Sequence, residues 1–238
     1  MSTYVLVHGA WHGSWYWERF ASLLRQRGHH VVAVDLPGRA GDPAPHHGIT
    51  LAAHAAKVCK VVASQSEPVI LMGHSMGGTV ISETAEHCPE GVRTLVYVSA
   101  FLLRSGQSLS DVAQADHESL VGPNLLVDEK AGSAILKPDT PFRDLFYGSC
   151  AEAEAIRAQS RLVPEPLPPM GTPVRTTAER FGRIPRVYVE CLRDRAILPS
   201  VQRQMVSAVG CDRVFTMDTD HSPFLSDPIS LTAHLTAL

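Results

Sequence analysis

Short runs of consecutive apolar residues, many of them β-branched, recur along the chain at Tyr4–Val7, Val31–Val34, Val69–Met72, Leu95–Val98, Val187–Glu190 and Val214–Met217. Runs that are apolar at nearly every position, rather than at alternate ones, suit strands covered on both faces. Longer stretches with helical spacing lie between them. Trp15–Arg27 carries Trp17, Phe20, Leu23 and Leu24 at that spacing and meets Gly28 as a stop. Thr50 is placed to cap a helix over Leu51–Ser64, Pro199 opens one reaching about Gly210, and Asp227-Pro228 reads as the N-cap and first position of a terminal helix. Strand alternating with helix predicts an α/β chain with a mostly parallel sheet of about six strands, flanked by helices.

The rhythm breaks once, between Leu95–Val98 and Val187–Glu190. That stretch shows a helical pattern at Ala151–Leu162, five prolines from Pro164 to Pro173, and no convincing buried strand. A long insertion between strands is usually a lid or is disordered, and apolar residues such as Leu125, Leu126, Ile135, Phe142 and Leu145 favour an ordered one. The expected organisation is a core of residues 1–100 and 180–238 with a helical cap over 101–179.

Chemistry enters at the third strand. Gly73-His74-Ser75-Met76-Gly77-Gly78 is a G-x-S-x-G sequence placed between a buried strand and a helix starting near Thr79, the context of a nucleophile elbow. Small residues two before and two after the serine permit a strained turn that lifts Oγ out of the sheet at a helix N-terminus, where negative charge is favoured. Acyl transfer also needs two backbone donors aimed at the developing oxyanion. One is expected from Met76, after the nucleophile, and the other from Ala10, in the Gly-rich turn Val7-His8-Gly9-Ala10-Trp11-His12-Gly13 that leaves the first strand. His8 is expected to fix that turn by hydrogen bonding, not to act as a base.

In this chemistry the acid follows the serine in the chain and the histidine comes last. Asp194 lies just beyond Val187–Glu190, and His221 follows the last strand, in Asp218-Thr219-Asp220-His221-Ser222-Pro223-Phe224. His221 is expected to relay protons and Asp194 to orient it. Asp220 and Asp218 are rival acids. His74 is expected to be a packing or turn residue. Trp11, His12, Phe101, Phe146 and Tyr147 are the candidate pocket residues, since such pockets are mostly apolar.

Composition narrows the alternatives without choosing an activity. The 238 residues hold 21 basic and 24 acidic side chains, a formal charge of −3, which offers no basic surface for nucleic acid. Mean hydropathy is +0.01, and no apolar run approaches the ~18 residues that span a bilayer, so no membrane partner is expected. The five cysteines are scattered, with no CxxC or Cys/His ligand spacing, and no histidine pair has zinc-site spacing. Free buried thiols in a reducing cytoplasm, and no metal, are the expectation. The oligomeric state is open, an isologous dimer being the commonest choice.

Several segments together resemble the α/β-hydrolase superfamily, and within it the plant methylesterase and hydroxynitrile lyase group: VLVHGAWHGSWYWERF at 5–20, DLPG at 35–38, GHSMGG at 73–78, RFGRIPRVYVECLRD at 180–194 and DHSPFLSDP at 220–228. FRDLFYGSCAEAEAIRAQSRLV, at 142–163, resembles the group's cap. The resemblance implies Ser75, His221 and Asp194 as triad, Ala10 and Met76 as oxyanion donors, a cap over the site, and no metal or organic cofactor. Lyases of the group carry Glu before the serine and Lys after the histidine, where this chain has His74 and Ser222, so the likeness is to the esterase branch. A serine carboxylesterase for small to medium, largely apolar esters is the expected function. The alternatives are a hydroxynitrile lyase, thioesterase or lactone-opening enzyme on the same triad, and a silent binding protein.

Overall fold

In the computed structural model, which describes residues 1–39, 42 and 44–236, all six predicted strands form and join one sheet. They are β1 (Thr3–Val7), β2 (His30–Val34), β3 (Val69–Ser75), β4 (Val92–Ala100), β5 (Arg186–Cys191) and β6 (Arg213–Met217), in the order β2-β1-β3-β4-β5-β6. Every pairing is parallel. Near-continuous burial holds for β1, β3, β4 and β5, which sit between helices. It fails for β6, whose Val214 is 46% exposed, because β6 is an edge strand and one side has no neighbour.

The flanking helices follow their sequence signals closely. The first stretch opens as a 3-10 turn at Ser14–Trp17 before α1 (Glu18–Gln26), which buries Phe20, Ala21 and Leu24. Thr50 caps α2 (Leu51–Ala63) by accepting the Ala53 amide at 3.0 Å, and Asp227 caps the terminal helix Pro228–Leu235 through Ser230 at 3.1 Å. Capping of this kind satisfies amides that have no partner within the helix. α3 (Gly77–His87) is buried along nearly its whole length, and its Ser82 and Thr84 hydroxyls donate back to carbonyls four residues earlier.

The insertion between β4 and β5 is ordered but not purely helical. Besides the helices Leu109–Ala115, Phe142–Phe146 and Glu152–Gln159 it holds a small antiparallel sheet of Leu125–Asp128, Ser133–Leu136 and Glu165–Pro166. These strands have two to four residues, and Leu126, Val127 and Ile135 face solvent. Strands so short carry apolar runs of only three residues, too brief for periodicity to detect.

The free-thiol expectation holds for Cys150, Cys191 and Cys211 and fails for one pair. Cys59 on α2 and Cys88 at the end of α3 form a disulfide, with Cα atoms 6.1 Å apart. The two helices pack side by side, which brings together cysteines 29 residues apart in sequence. This pairing removes the cysteine-based reason for a reducing compartment.

Candidate active site

Ser75 ends β3 with φ of 53°, a left-handed backbone that non-glycine residues adopt only when their surroundings impose it. The flanking glycines make the turn possible. A Cβ on Gly73 would lie 2.5 Å from the Gly77 carbonyl oxygen, and one on Gly77 would lie 2.6 Å from that of Val7. Gly9 brings the first turn against Ser75, for its Cβ would stand 2.7 Å from that of Ser75. α3 starts at Gly77, so the serine sits at the N-terminus of a buried helix.

Ala10 and Met76 line the same cavity as Ser75. Among the described residues neither backbone amide is used in a hydrogen bond, which leaves both available to a ligand. Their position beside the serine is what an oxyanion hole requires.

Asp194 follows β5 and reaches His221, accepting its Nδ1–H at 2.8 Å with both side chains 1% exposed or less. The carboxylate is held on every side. Its Oδ1 accepts the amides of Ala196 and Ile197 at 2.7 and 2.9 Å, and its Oδ2 also accepts Ser99 Oγ–H and, at 3.3 Å, Gln202 Nε2–H. The rival acids are engaged elsewhere. Asp220 accepts from Ser149, Ser222 and Ser226, and Asp218 pairs with Arg193 at the exposed surface.

Among the described residues no hydrogen bond joins Ser75 Oγ to His221 Nε2. His74 links the two segments instead. Its ring centroid is 4.4 Å from that of His221, and its Nε2–H donates to the His221 carbonyl at 2.9 Å. Bonds between catalytic groups commonly tighten only when substrate arrives.

The neighbouring histidines are structural donors. His8 Nδ1–H donates to the Gly9 carbonyl at 2.8 Å while its Nε2 accepts the Leu36 amide, which fixes the neutral tautomer and holds the turn as expected. His12 Nδ1–H donates to the Ala10 carbonyl at 2.7 Å, so its Nε2 accepts from the Tyr147 hydroxyl at 2.8 Å. Burial lowers the His12 pKa to about 3 and pushes those of His8 and His74 well below the usual histidine value. All three stay neutral at physiological pH.

A cavity of about 180 Å³ opens above Ser75. Trp11, Phe101 and Phe146 stand on its wall, joined by Leu109, Val121 and Met170 from the insertion, and none of the described residues that line it is charged. His12 and Tyr147 do not reach it. They pair with each other behind the wall, where His12 stacks on Tyr16 at 3.8 Å. Ser99 and Gln202, both on Asp194, had no distinguishing sequence signal. Among the described residues no group of three or more His, Cys, Asp or Glu could hold a metal, and no helix is long and apolar enough to cross a membrane.

A strained serine between strand and helix, with a buried Asp–His pair contributed by the last two strands, defines a hydrolase-type α/β fold. The chain belongs to the alpha/beta hydrolase family, whose model matches residues 4–235. It is 32% identical over 243 residues to putative methylesterase 14, chloroplastic, of Arabidopsis thaliana, covering 96% of this chain and 69% of that one. It is 30% identical over 250 residues to salicylic acid-binding protein 2 of Nicotiana tabacum, covering 98% and 95%. Among solved structures, polyneuridine aldehyde esterase superposes with a TM-score of 0.88 at 26% identity, over 100% of this chain and 98% of that one. A pyrethroid hydrolase from Sphingobium faniae JZ-2 gives 0.90 at 26% identity, over 99% and 96%. The expected kinship with the plant methylesterase group is therefore met.

Proposed function

We propose that the protein is a serine carboxylesterase acting on small to medium, neutral, largely apolar esters. The observation that carries this reading is the buried Asp194–His221 hydrogen bond of 2.8 Å at the same end of the sheet as the strained Ser75. His221 takes the Ser75 proton as Oγ attacks the ester carbonyl, and Asp194 stabilises the imidazolium that forms. The Ala10 and Met76 amides receive the oxyanion, each such donor being worth ~3 kcal/mol. His221 then gives its proton to the leaving alkoxide and later activates the water that releases the acid. The insertion of residues 101–179 acts as the cap and sets specificity.

Several features support the substrate class. The cavity offers a hydroxyl or amide from Ser110, Gln114 and Ser119 but, among the described residues, no counter-charge, so an anionic ester would lose its hydration without a partner. Relatives with esterase names agree with ester hydrolysis. Cyanohydrin cleavage lacks support, because Ser222 stands after His221 and its hydroxyl donates to the Phe146 carbonyl at 2.8 Å, leaving no cation there. The test is turnover of p-nitrophenyl acetate and butyrate, with a fluorophosphonate probe reporting the nucleophile. Hydrolysis and labelling are expected in the parent and absent in Ser75→Ala. Cyanide release from mandelonitrile without ester turnover would overturn the reading.

A further inference from the structure

Trp11, the residue after the proposed oxyanion donor, has φ of 62°, a left-handed conformation unfavourable for a bulky side chain. The insertion holds it there. Its amide donates to Glu165 Oε2 at 2.8 Å, its indole Nε1–H donates to the Ala134 carbonyl at 3.0 Å, and its carbonyl accepts the Val163 amide at 3.0 Å. All three polar groups of Trp11 are thus engaged by residues between 134 and 165. On the core side, His12 Nδ1–H holds the Ala10 carbonyl at 2.7 Å. The Ala10–Trp11 peptide is gripped at its oxygen by His12 and at its hydrogen by Glu165.

Glu165 is an unusual choice for that place. It is fully buried on a two-residue strand, and its Oε2 also accepts Arg39 Nη2–H at 2.5 Å, with Arg39 only 6% exposed. Burial raises its pKa, and the Arg39 guanidinium opposes that rise. A buried ion pair is weak evidence for stability, because desolvation offsets much of the attraction. A charged acceptor does, however, give a shorter, stronger and better-directed bond to a backbone amide than a neutral one.

We propose that Glu165 is a positioning residue for the oxyanion hole: by accepting the Trp11 amide it fixes the Ala10–Trp11 peptide, and through it the direction of the Ala10 N–H. Arg39 holds the carboxylate in place. The inference rests on the serine-esterase reading, in which Ala10 is a donor. Oxyanion contacts strengthen in the transition state, so the effect falls on kcat and hardly on KM.

Two double variants separate the hydrogen bond from the ion pair. Arg39→Met with Glu165→Gln removes both charges but leaves an amide oxygen for Trp11. Arg39→Met with Glu165→Met removes the acceptor at similar volume. On p-nitrophenyl acetate, the Gln variant is expected within ~3-fold of the parent kcat, and the Met variant to lose ~10- to 100-fold at nearly unchanged KM. Affinity for a trifluoromethyl ketone, which mimics the tetrahedral intermediate, should fall in step with kcat in the Met variant. Equal kcat in the two would overturn the proposal. Should the Met variant fail to fold, Glu165→Asp withdraws the acceptor by one methylene and must lower kcat with KM held; an unchanged kcat overturns it too. The Trp11 amide proton resonance reads the bond without turnover, and must move upfield when the acceptor is lost. Ser75→Ala tests the esterase reading separately, since turnover surviving there refutes that reading whatever Glu165 does.

Discussion

Replacing Asp194 with Asn preserves the side-chain shape and inverts its hydrogen bonding on one side only. Oδ1 accepts the amides of Ala196 and Ile197 at 2.7 and 2.9 Å, so an asparagine must set its carbonyl oxygen there rather than oppose two N–H groups. The NH2 is then aimed at Ser99, Gln202 and His221 Nδ1. His221 must meet that donor with a lone pair, which moves its proton to Nε2, the nitrogen that receives the Ser75 proton in the proposed mechanism. The imidazolium of the transition state also loses its counter-charge. In serine hydrolases a tautomer inversion of this kind costs ~10⁴ in kcat, or about 5.5 kcal/mol. We expect a loss of ~10³- to 10⁴-fold in kcat/KM on p-nitrophenyl acetate, with Tm lowered by only a few degrees, since one contact is disturbed in a domain of this size. Asp220→Asn, in a carboxylate turned toward Ser149 and Ser226, should stay within about tenfold of the parent. An Asp194→Asn enzyme keeping more than a tenth of its activity would refute the assignment. So would an equal loss in the two variants.

Gly9→Ala places a Cβ 2.7 Å from that of Ser75 and 3.0 Å from His74 Nδ1, so the turn or Ser75 must shift. We expect kcat to drop ~10²-fold in a folded protein, and full activity would show that the approach is not tight. His54, buried with its Nε2 3.2 Å from the Pro37 carbonyl, titrates near pH 4 when folded and at ~6.5 when unfolded. The unfolded state therefore holds more protons between those values, and stability falls as pH drops through that window by ~1.4 kcal/mol per unit. His54→Gln should flatten the pH slope of urea-unfolding free energy by about one proton, and an unchanged slope would count against a neutral buried His54. The Cys59–Cys88 link closes a loop of 29 residues, for which chain entropy gives a stabilisation of ~3–4 kcal/mol. Dithiothreitol should lower the urea midpoint, and thiol titration of unreduced denatured protein should find three thiols; finding five would exclude the bond.

What could be read from one dimension, and what could not, divides along physical lines. β1, β3, β4 and β5 are buried on both faces, so burial is written into consecutive residues, and Gly73 is dictated by the close approach of Gly77, two residues beyond Ser75, whereas Gly77 and Gly78 make room for Val7 and Phe101, distant in sequence. Asp194 and His221 were found from their order relative to strands, because a parallel sheet delivers the residue after each strand to the same end. Support of that pair from the side was illegible. Ser99 and Gln202 lie 95 and 8 residues from Asp194 and look like any polar residue at a strand end or on a helix. Trp11 shows the limit most clearly. Its side chain made it a candidate wall residue, and it does line the cavity. Its backbone, however, takes a left-handed turn and bonds to Val163 and Glu165, and no side-chain pattern encodes that. Glu165 sits in a proline-rich stretch where a lone acidic residue would ordinarily be solvated, yet it is sealed against Arg39. The insertion thus does more than contribute residues to the cavity wall. Among the described residues the hydrogen bonds of Trp11 all come from the insertion while its neighbour Ala10 lies beside Ser75, so under the proposed function rebuilding the insertion for a new substrate would also disturb the Ala10 turn unless the 163–165 segment and Ala134 were kept.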